Sequence, residues 1–127
     1  MAMSRTKAPR LIAVVEDDPA VRHSLAFDLE AQGYSVCAFE RATEALVSAV
    51  IPTADCLVID YALPDLDGAA LLLALRRRGL ACPAIIIAST PSTRCRREAA
   101  RAKAPLLEKP LMGGVLDTQI RTSLCPG

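Results

Sequence analysis

Short apolar runs rich in branched residues alternate with helical segments along the chain, and this alternation limits the possible folds more than any other feature. The run Leu11–Val15 passes directly into three acids, and the run at 56–59 passes directly into Asp60. Continuous apolar runs of this kind are typical of strands covered on both faces, as in a parallel sheet. The sequence therefore predicts buried strands that carry acids at their carboxyl ends.

Five strand and helix pairs are predicted in sequence order. The strands are at 11–15, 34–39, 56–59, 83–88 and 106–107, and the helices at 19–32, 42–50, 68–78, 91–103 and from 115 onward. Parallel strands need crossover connections, and these connections are right-handed. We therefore expect an α/β fold: a doubly wound five-stranded parallel sheet with helices on both faces and the flavodoxin-like order 2-1-3-4-5.

Composition supports one globular domain spanning residues 1–127, with a flexible N-terminal segment at 1–9. The 127 residues are 52% hydrophobic and carry a net charge of +1, which argues against disorder and against a strongly charged protein. Aromatic residues make up 3%, too few for stacking platforms that bind single-stranded nucleic acid. The longest apolar runs are too short to span a bilayer, so no membrane association is expected.

The cysteines indicate neither a zinc site nor a disulfide framework. The chain has five cysteines, which is an odd number, and no two of them are only two residues apart. His23 is the single histidine. We expect mostly buried thiols in a reducing cytoplasm.

Acids from two strand ends and one lysine are predicted to meet at one edge of the sheet. Glu16 and Asp17 follow the first strand, Asp60 ends the third, and Lys109 follows the fifth. Converging carboxylates repel one another unless a cation neutralises them, and Mg²⁺ prefers such oxygen ligands. A lysine opposite the acids suits a phosphoryl oxygen, and Asp60 can then serve as the nucleophile.

Three motifs in this order resemble the receiver domain of two-component response regulators. They are VVEDDP at 14–19, VIDYALPDLDG at 58–68 and EKP at 108–110. The resemblance extends over nearly the whole chain, and each motif falls in the structural context that the family requires.

The resemblance implies a specific role for each matching residue. Asp60 would accept a phosphoryl group from a histidine kinase or a phosphotransfer protein. Asp17 would bind Mg²⁺ directly and Glu16 through water, and Asp60 and the backbone carbonyl of Ala62 would complete the protein ligands. Lys109 would contact the phosphate. Such a module is a switch rather than an enzyme, with at most weak self-phosphorylation from small donors and weak self-dephosphorylation.

Two positions depart from the family pattern. Ala88 stands where a Ser or Thr normally ends the fourth strand, and Leu106 stands where an aromatic residue is expected. Ser89 can supply the hydroxyl if the strand end is shifted by one residue, although such a shift normally reverses side-chain direction. An atypical switch is therefore expected. The resemblance also suggests that Tyr61, Ala62 and Thr90 influence the lifetime of the phosphoryl group.

The sequence leaves the output open. The leading hypothesis is a receiver that acts through an unknown downstream protein, either alone or as part of a longer chain. A phosphorylation-independent adaptor and a Mg²⁺-dependent phosphohydrolase are the alternatives. The fourth helix region is basic, but without a helix-turn-helix signal a solvated face is favoured over DNA binding. His23 is assigned no role.

Overall fold

Five parallel strands form a single sheet in the computed structural model, which describes residues 8–124. The strands are β1 (Leu11–Val15), β2 (Ser35–Phe39), β3 (Cys56–Asp60), β4 (Ala84–Ala88) and β5 (Leu106–Glu108). Their order is β2-β1-β3-β4-β5, and all four neighbouring pairs are parallel. The predicted topology is therefore confirmed. The segment predicted to be flexible, 1–9, lies mostly outside the described residues.

A helix follows each strand. The helices are α1 (Pro19–Ala31), α2 (Ala42–Val47), α3 (Gly68–Arg77), α4 (Thr93–Arg101) and α5 (Val115–Leu124). Within residues 8–124, none of them combines the length and apolar character that a bilayer span requires.

The second helix ends earlier than predicted. The apolar pattern predicted a helix reaching Val50, but α2 ends at Val47, and a separate 3₁₀ turn covers Ile51–Thr53. The hydroxyl of Ser48 accepts hydrogen bonds from the amides of Val50 (3.0 Å) and Ile51 (3.3 Å). Because a serine side chain can bind nearby amides in this way, it competes with the helix and ends it.

The sheet separates two apolar layers, because successive side chains of a strand point to opposite faces. In β4, Ile86 belongs to the layer beneath α2, α3 and α4, whereas Ile85 and Ile87 belong to the layer beneath α1 and α5. All five residues of β3 and all five of β4 are buried. Helices on both faces are thus the reason why the strands read as continuous apolar runs.

Local signals begin and end α1 and α3 as the sequence predicts. The side chains of Asp18 and Asp67 accept hydrogen bonds from backbone amides in the first turns of α1 and α3. Gly33 and Gly79, just after the two helices, have φ angles of +99° and +94°. These angles suit glycine because it has no Cβ to clash in the left-handed region.

Four cysteines in the described part of the chain are free thiols. Cys56 and Cys95 are buried, and Cys37 and Cys82 are partly exposed. Burial raises the pKa of Cys56 to about 12, so this thiol stays protonated and behaves as a small apolar side chain. Cys125 lies outside the described residues.

Candidate functional site

The carboxyl edge of the sheet brings together acids from two neighbouring strands. β1 pairs with β3 so that Val15 lies beside Ile59, which places Glu16 and Asp17 next to Asp60. Carboxylate oxygens of the three acids all lie within 4.8 Å of one another. The acid cluster predicted from the strand ends is therefore present in the structure.

Lys109 bridges the two buried acids of this cluster. Its Nζ lies 3.0 Å from Oε1 of Glu16 and 3.5 Å from Oδ1 of Asp60. The backbone amide of Lys109 donates a 2.8 Å hydrogen bond to the carbonyl of Ala88, which fixes the lysine to the end of β4. Burial alone would lower the pKa of Lys109, but its hydrogen bond to Glu16 and the charge of Asp60 outweigh burial and raise that pKa.

One lysine does not neutralise the cluster. Glu16 is fully buried, and burial, followed by the neighbouring Asp60 carboxyl, raises its pKa to about 7. A buried carboxylate favours its ionised form only when a cation or hydrogen-bond donors compensate for the lost solvation. A further cation at the site would therefore compensate negative charge that Lys109 leaves unbalanced.

The loop after β1 is held by its own backbone contacts. The Glu16 amide donates to the carbonyl of Phe39 at 3.0 Å, and the Asp18 amide donates to Oε2 of Glu16 at 3.2 Å. The guanidinium of Arg22 donates to the carbonyls of Glu16 (2.9 Å) and Asp17 (3.3 Å). These contacts present the two carboxylates to the sheet edge. Arg22 is not predictable as a site residue from the sequence, because a guanidinium bound to backbone carbonyls leaves no charge pattern there.

The loop after β3 is packed tightly against the Asp60 backbone. The Tyr61 amide donates to the carbonyl of Ile87, and the Gly68 amide donates to the carbonyl of Tyr61, both at 2.8 Å. A Cβ at Gly68 would collide with the Asp60 carbonyl oxygen and lie 2.9 Å from Cγ2 of Ile59. The first residue of α3 must therefore be glycine. The Ala62 amide lies 3.4 Å from Oδ1 of Asp60.

The donor atoms fit a hard divalent cation such as Mg²⁺. They are three carboxylates, with neither thiol nor imidazole among them, and two of the three acids are buried. Oxygen-only clusters with incomplete protein ligation suit Mg²⁺, which keeps several waters.

Sequence comparison identifies the family. The profile of the response regulator receiver domain matches residues 12–121, which include the five strands, apart from Leu11 at the start of β1, and the acid cluster. The chain belongs to the response regulator receiver domain family. Members of this family are phosphoacceptor switches rather than turnover enzymes, and they bind Mg²⁺ at an acidic pocket.

Relatives and solved structures agree with this assignment. The chain is 33% identical over 114 residues to the transcriptional regulatory protein FixJ of Azorhizobium caulinodans, covering 89% of this chain and 54% of FixJ. It is 38% identical over 81 residues to the response regulator MprA of Mycobacterium avium, covering 64% of this chain and 36% of MprA. A CheY-like receiver from Methanospirillum hungatei superposes with a TM-score of 0.83 at 27% identity, covering 91% and 94% of the two chains. The chain thus spans about half, or less, of the curated relatives' length.

The receiver's departures from the family pattern lie where the sequence places them. Ala88 is the last residue of β4, is 4% exposed, and lines a cavity of about 190 Å³ together with Asp60 and Lys109. Ser89 and Thr90 follow it, are exposed, and line the same cavity. Leu106 begins β5 and packs against the apolar layer beneath α2, α3 and α4. Whether Ser89 replaces the missing hydroxyl stays a prediction.

A contact of Tyr61 was not predicted from the sequence. Its hydroxyl donates a 2.7 Å hydrogen bond to Oε1 of Glu98 in α4, and this bond raises the pKa of Tyr61 to about 12. The same bond lowers the pKa of Glu98. The four-residue spacing of Arg94 and Glu98 suggests an ion pair on a helix, but it carries no information about a partner 37 residues away.

Proposed function

We propose that Asp60 accepts a phosphoryl group from a phosphohistidine and that this modification changes how the receiver binds a downstream protein. The donor is a histidine kinase or a phosphotransfer protein. The observation that carries the proposal is the ammonium of Lys109 held between two buried carboxylates, with a third carboxylate beside them. This arrangement supplies a nucleophile together with positive charge for the transferred group.

The chemistry is a direct displacement at phosphorus. A carboxylate oxygen of Asp60 forms the new bond to phosphorus as the bond from phosphorus to the histidine nitrogen breaks, and the imidazole leaves with that electron pair. The ammonium of Lys109, now 3.5 Å from Asp60, balances negative charge on the phosphoryl oxygens. The contact of the ammonium with Glu16, together with the hydrogen bond from the Lys109 backbone amide to the Ala88 carbonyl, holds the lysine in place before transfer.

Three acids and one carbonyl would hold Mg²⁺ in this proposal. Asp17 and Asp60 would bind it directly, Glu16 through water, and Ala62 through its backbone carbonyl. Bound Mg²⁺ supplies positive charge that neutralises the carboxylates and the incoming phosphoryl oxygens.

An open cavity adjoins the site, and we propose that the donor side chain enters through it. It measures about 540 Å³ and lies between α1 and the residues that follow β5, with Ser24, Leu25, Ser89, Lys109 and Leu111 among its walls. Lys109 and Ser89 also line the 190 Å³ cavity that contains Asp60, so a phosphohistidine that enters the larger cavity would meet the lysine beside the acceptor.

Phosphorylation is tested with a small donor and intact mass. Acetyl phosphate with Mg²⁺ should add about 80 Da, one phosphoryl group, to the wild type. The Asp60→Asn variant should gain nothing, and Glu30→Gln, which changes an exposed carboxylate in α1, should behave as the wild type. If the wild type gains no mass from acetyl phosphate or from a phosphorylated kinase domain, the proposal is wrong.

A phosphorylation-independent adaptor is the second candidate. It is favoured by one observation, that the final side chain of β4 at the cavity, Ala88, has no polar atom with which to respond to a phosphoryl group. The adaptor would be supported by a partner that binds with the same affinity to the unmodified receiver and to the receiver treated with beryllofluoride, a mimic of the phosphoryl group.

We place the receiver in the cytoplasm, where its four described thiols would stay reduced. We propose that the downstream partner is a protein; residues 8–124 form a receiver fold, and no DNA-binding domain is seen among them.

A further inference from the structure

A hydrogen-bonded chain of three side chains joins the residue after Asp60 to α4. The Tyr61 hydroxyl donates to Oε1 of Glu98 at 2.7 Å, and Nε of Arg94 lies 3.0 Å from Oε2 of the same carboxylate. Glu98 therefore uses one oxygen for the tyrosine and the other for the arginine. The carboxylate is oriented from its own helix by Arg94 and reaches out of that helix to Tyr61.

The tyrosine end of this chain is firmly placed beside the phosphoacceptor. The Tyr61 backbone is hydrogen-bonded on both sides, to Ile87 and to Gly68. Tyr61 shares the 190 Å³ cavity with Asp60 and with Cys95 of the first helical turn of α4. A phosphoryl group on Asp60 would enter this cavity and meet the first member of the chain.

The helix end of the chain is held weakly by apolar packing. Every buried side chain of α4 is small, namely Cys95 and Ala99. Stabilisation by burial scales with apolar area, so these residues attach α4 less strongly than leucines would. The loop that leads into α4 contains Thr90 with a φ of +35°, a strained value for a β-branched residue. The hydrogen bond from Tyr61 to Glu98 therefore adds a polar attachment to a helix whose buried side chains are small.

We propose that Glu98, oriented by Arg94, is a positioning residue for Tyr61 and that this chain couples the state of Asp60 to the position of α4. The inference rests on the proposed phosphorylation of Asp60. Ala88, which lines the cavity, and Leu106, which begins β5, are both apolar, so neither offers a polar side-chain atom that could respond to a change at Asp60. Because coupling between binding sites is reciprocal, a ligand that fixes α4 must also change the affinity of the Asp60 site for beryllofluoride, a mimic of the phosphoryl group.

The test compares hydrogen exchange in α4 with and without beryllofluoride and Mg²⁺, which mimic the phosphoryl group. In the wild type we expect exchange across 93–101 to change about 5-fold or more, the lower end of typical coupling between sites. Tyr61→Phe removes only the hydroxyl and keeps the ring, and it should abolish this response while exchange at 109–114 still responds. Glu98→Ala should act like Tyr61→Phe, and Glu98→Gln, which keeps an acceptor oxygen, should restore part of the response.

The matched control is Arg97→Ala, an exposed position in α4 that should leave the response unchanged. In the double variant Tyr61→Phe/Glu98→Ala, the exchange response of α4 should be reduced no more than in either single variant. The two single variants and the double variant all remove the same contact. An α4 response in Tyr61→Phe equal to that of the wild type would overturn the inference, as would a phosphorylated wild type without any α4 response. Absence of an Asp60 adduct in every variant would instead overturn the proposed function itself.

Discussion

Glu16 and Asp60 are the two charged side chains that folding buries in the described part of the receiver. Removing a carboxylate from water costs several kcal/mol unless it is compensated, so burial of two acids beside each other opposes folding. Lys109 compensates part of this cost through its contacts of 3.0 and 3.5 Å. Buried acids that oppose folding are typical of functional sites, where their chemistry is needed in spite of the cost in stability.

At the residue scale, Gly68→Ala should destabilise the receiver. The added methyl group would collide with the Asp60 carbonyl oxygen, which is backbone and cannot rotate away. Overpacking of this kind costs about 1–3 kcal/mol, and it should appear as a lower midpoint in chemical denaturation. Arg77 in the same helix is exposed, so the control variant Arg77→Ala should change the midpoint little. An unchanged midpoint for Gly68→Ala would contradict the tight packing of this loop.

The predictable site residues are those that end a strand or directly follow one. Glu16, Asp17, Asp60 and Lys109 were predicted together because parallel strands end at one edge of a sheet. The bond from Tyr61 to Glu98 joins residues whose proximity depends on how α4 lies on the sheet. Neither spacing nor composition encodes that placement, so this contact emerges only from the structure.

At the element scale, α2 takes its N-terminal cap from a distant loop. The carboxylate of Asp65 accepts hydrogen bonds from the amides of Ala42 (3.1 Å) and Thr43 (2.9 Å), which lowers the pKa of Asp65, chiefly through the Thr43 amide. The helix is only six residues long, too short to be stable by itself. Asp65 therefore ties α2 to the loop between β3 and α3.

Asp65→Ala should loosen α2 without unfolding the sheet. Exchange at the Ala42 and Thr43 amides should become faster, because both amides lose their acceptor. In the wild type, a folded-state pKa below the ordinary value of 3.8 means that the cap is fully present above that pH and is lost as the pH falls through the lowered value. An acid titration followed by amide chemical shifts should show this loss in the wild type and not in Asp65→Ala. The same acid transition in both proteins would contradict the assignment of the cap to Asp65.

The elements themselves were largely predictable because their burial matches their sequence pattern. β3 and β4 are buried along their whole length, so their apolar runs are unambiguous. The end of α2 was predicted wrongly because Ser48 diverts the amides of Val50 and Ile51 into a turn. A local hydrogen bond of that kind outweighs an apolar periodicity that would otherwise continue the helix.

At the scale of the whole molecule, Mg²⁺ should stabilise the receiver. Its proposed ligands come from the ends of β1 and β3, so an unfolded chain does not hold them together. A ligand at about 100 times its Kd that binds only the folded state adds about 2.7 kcal/mol, which raises the thermal midpoint by several degrees. Asp17→Asn should lose this shift, and Glu30→Gln, at an exposed position in α1, should keep it. A shift of equal size in Asp17→Asn would contradict the proposed ligand set.

The two borders of the sheet differ in how readily they can add a further strand. β5 is only three residues long and ends in the exposed Glu108. Pro110 follows two positions later and has no amide hydrogen to donate. A short, charged border strand is a poor template for edge-to-edge aggregation. β2 is longer, with five residues, and carries no charged side chain from Ser35 to Phe39. Aggregation by strand addition is therefore directed to the β2 border, on the side of the sheet away from Lys109.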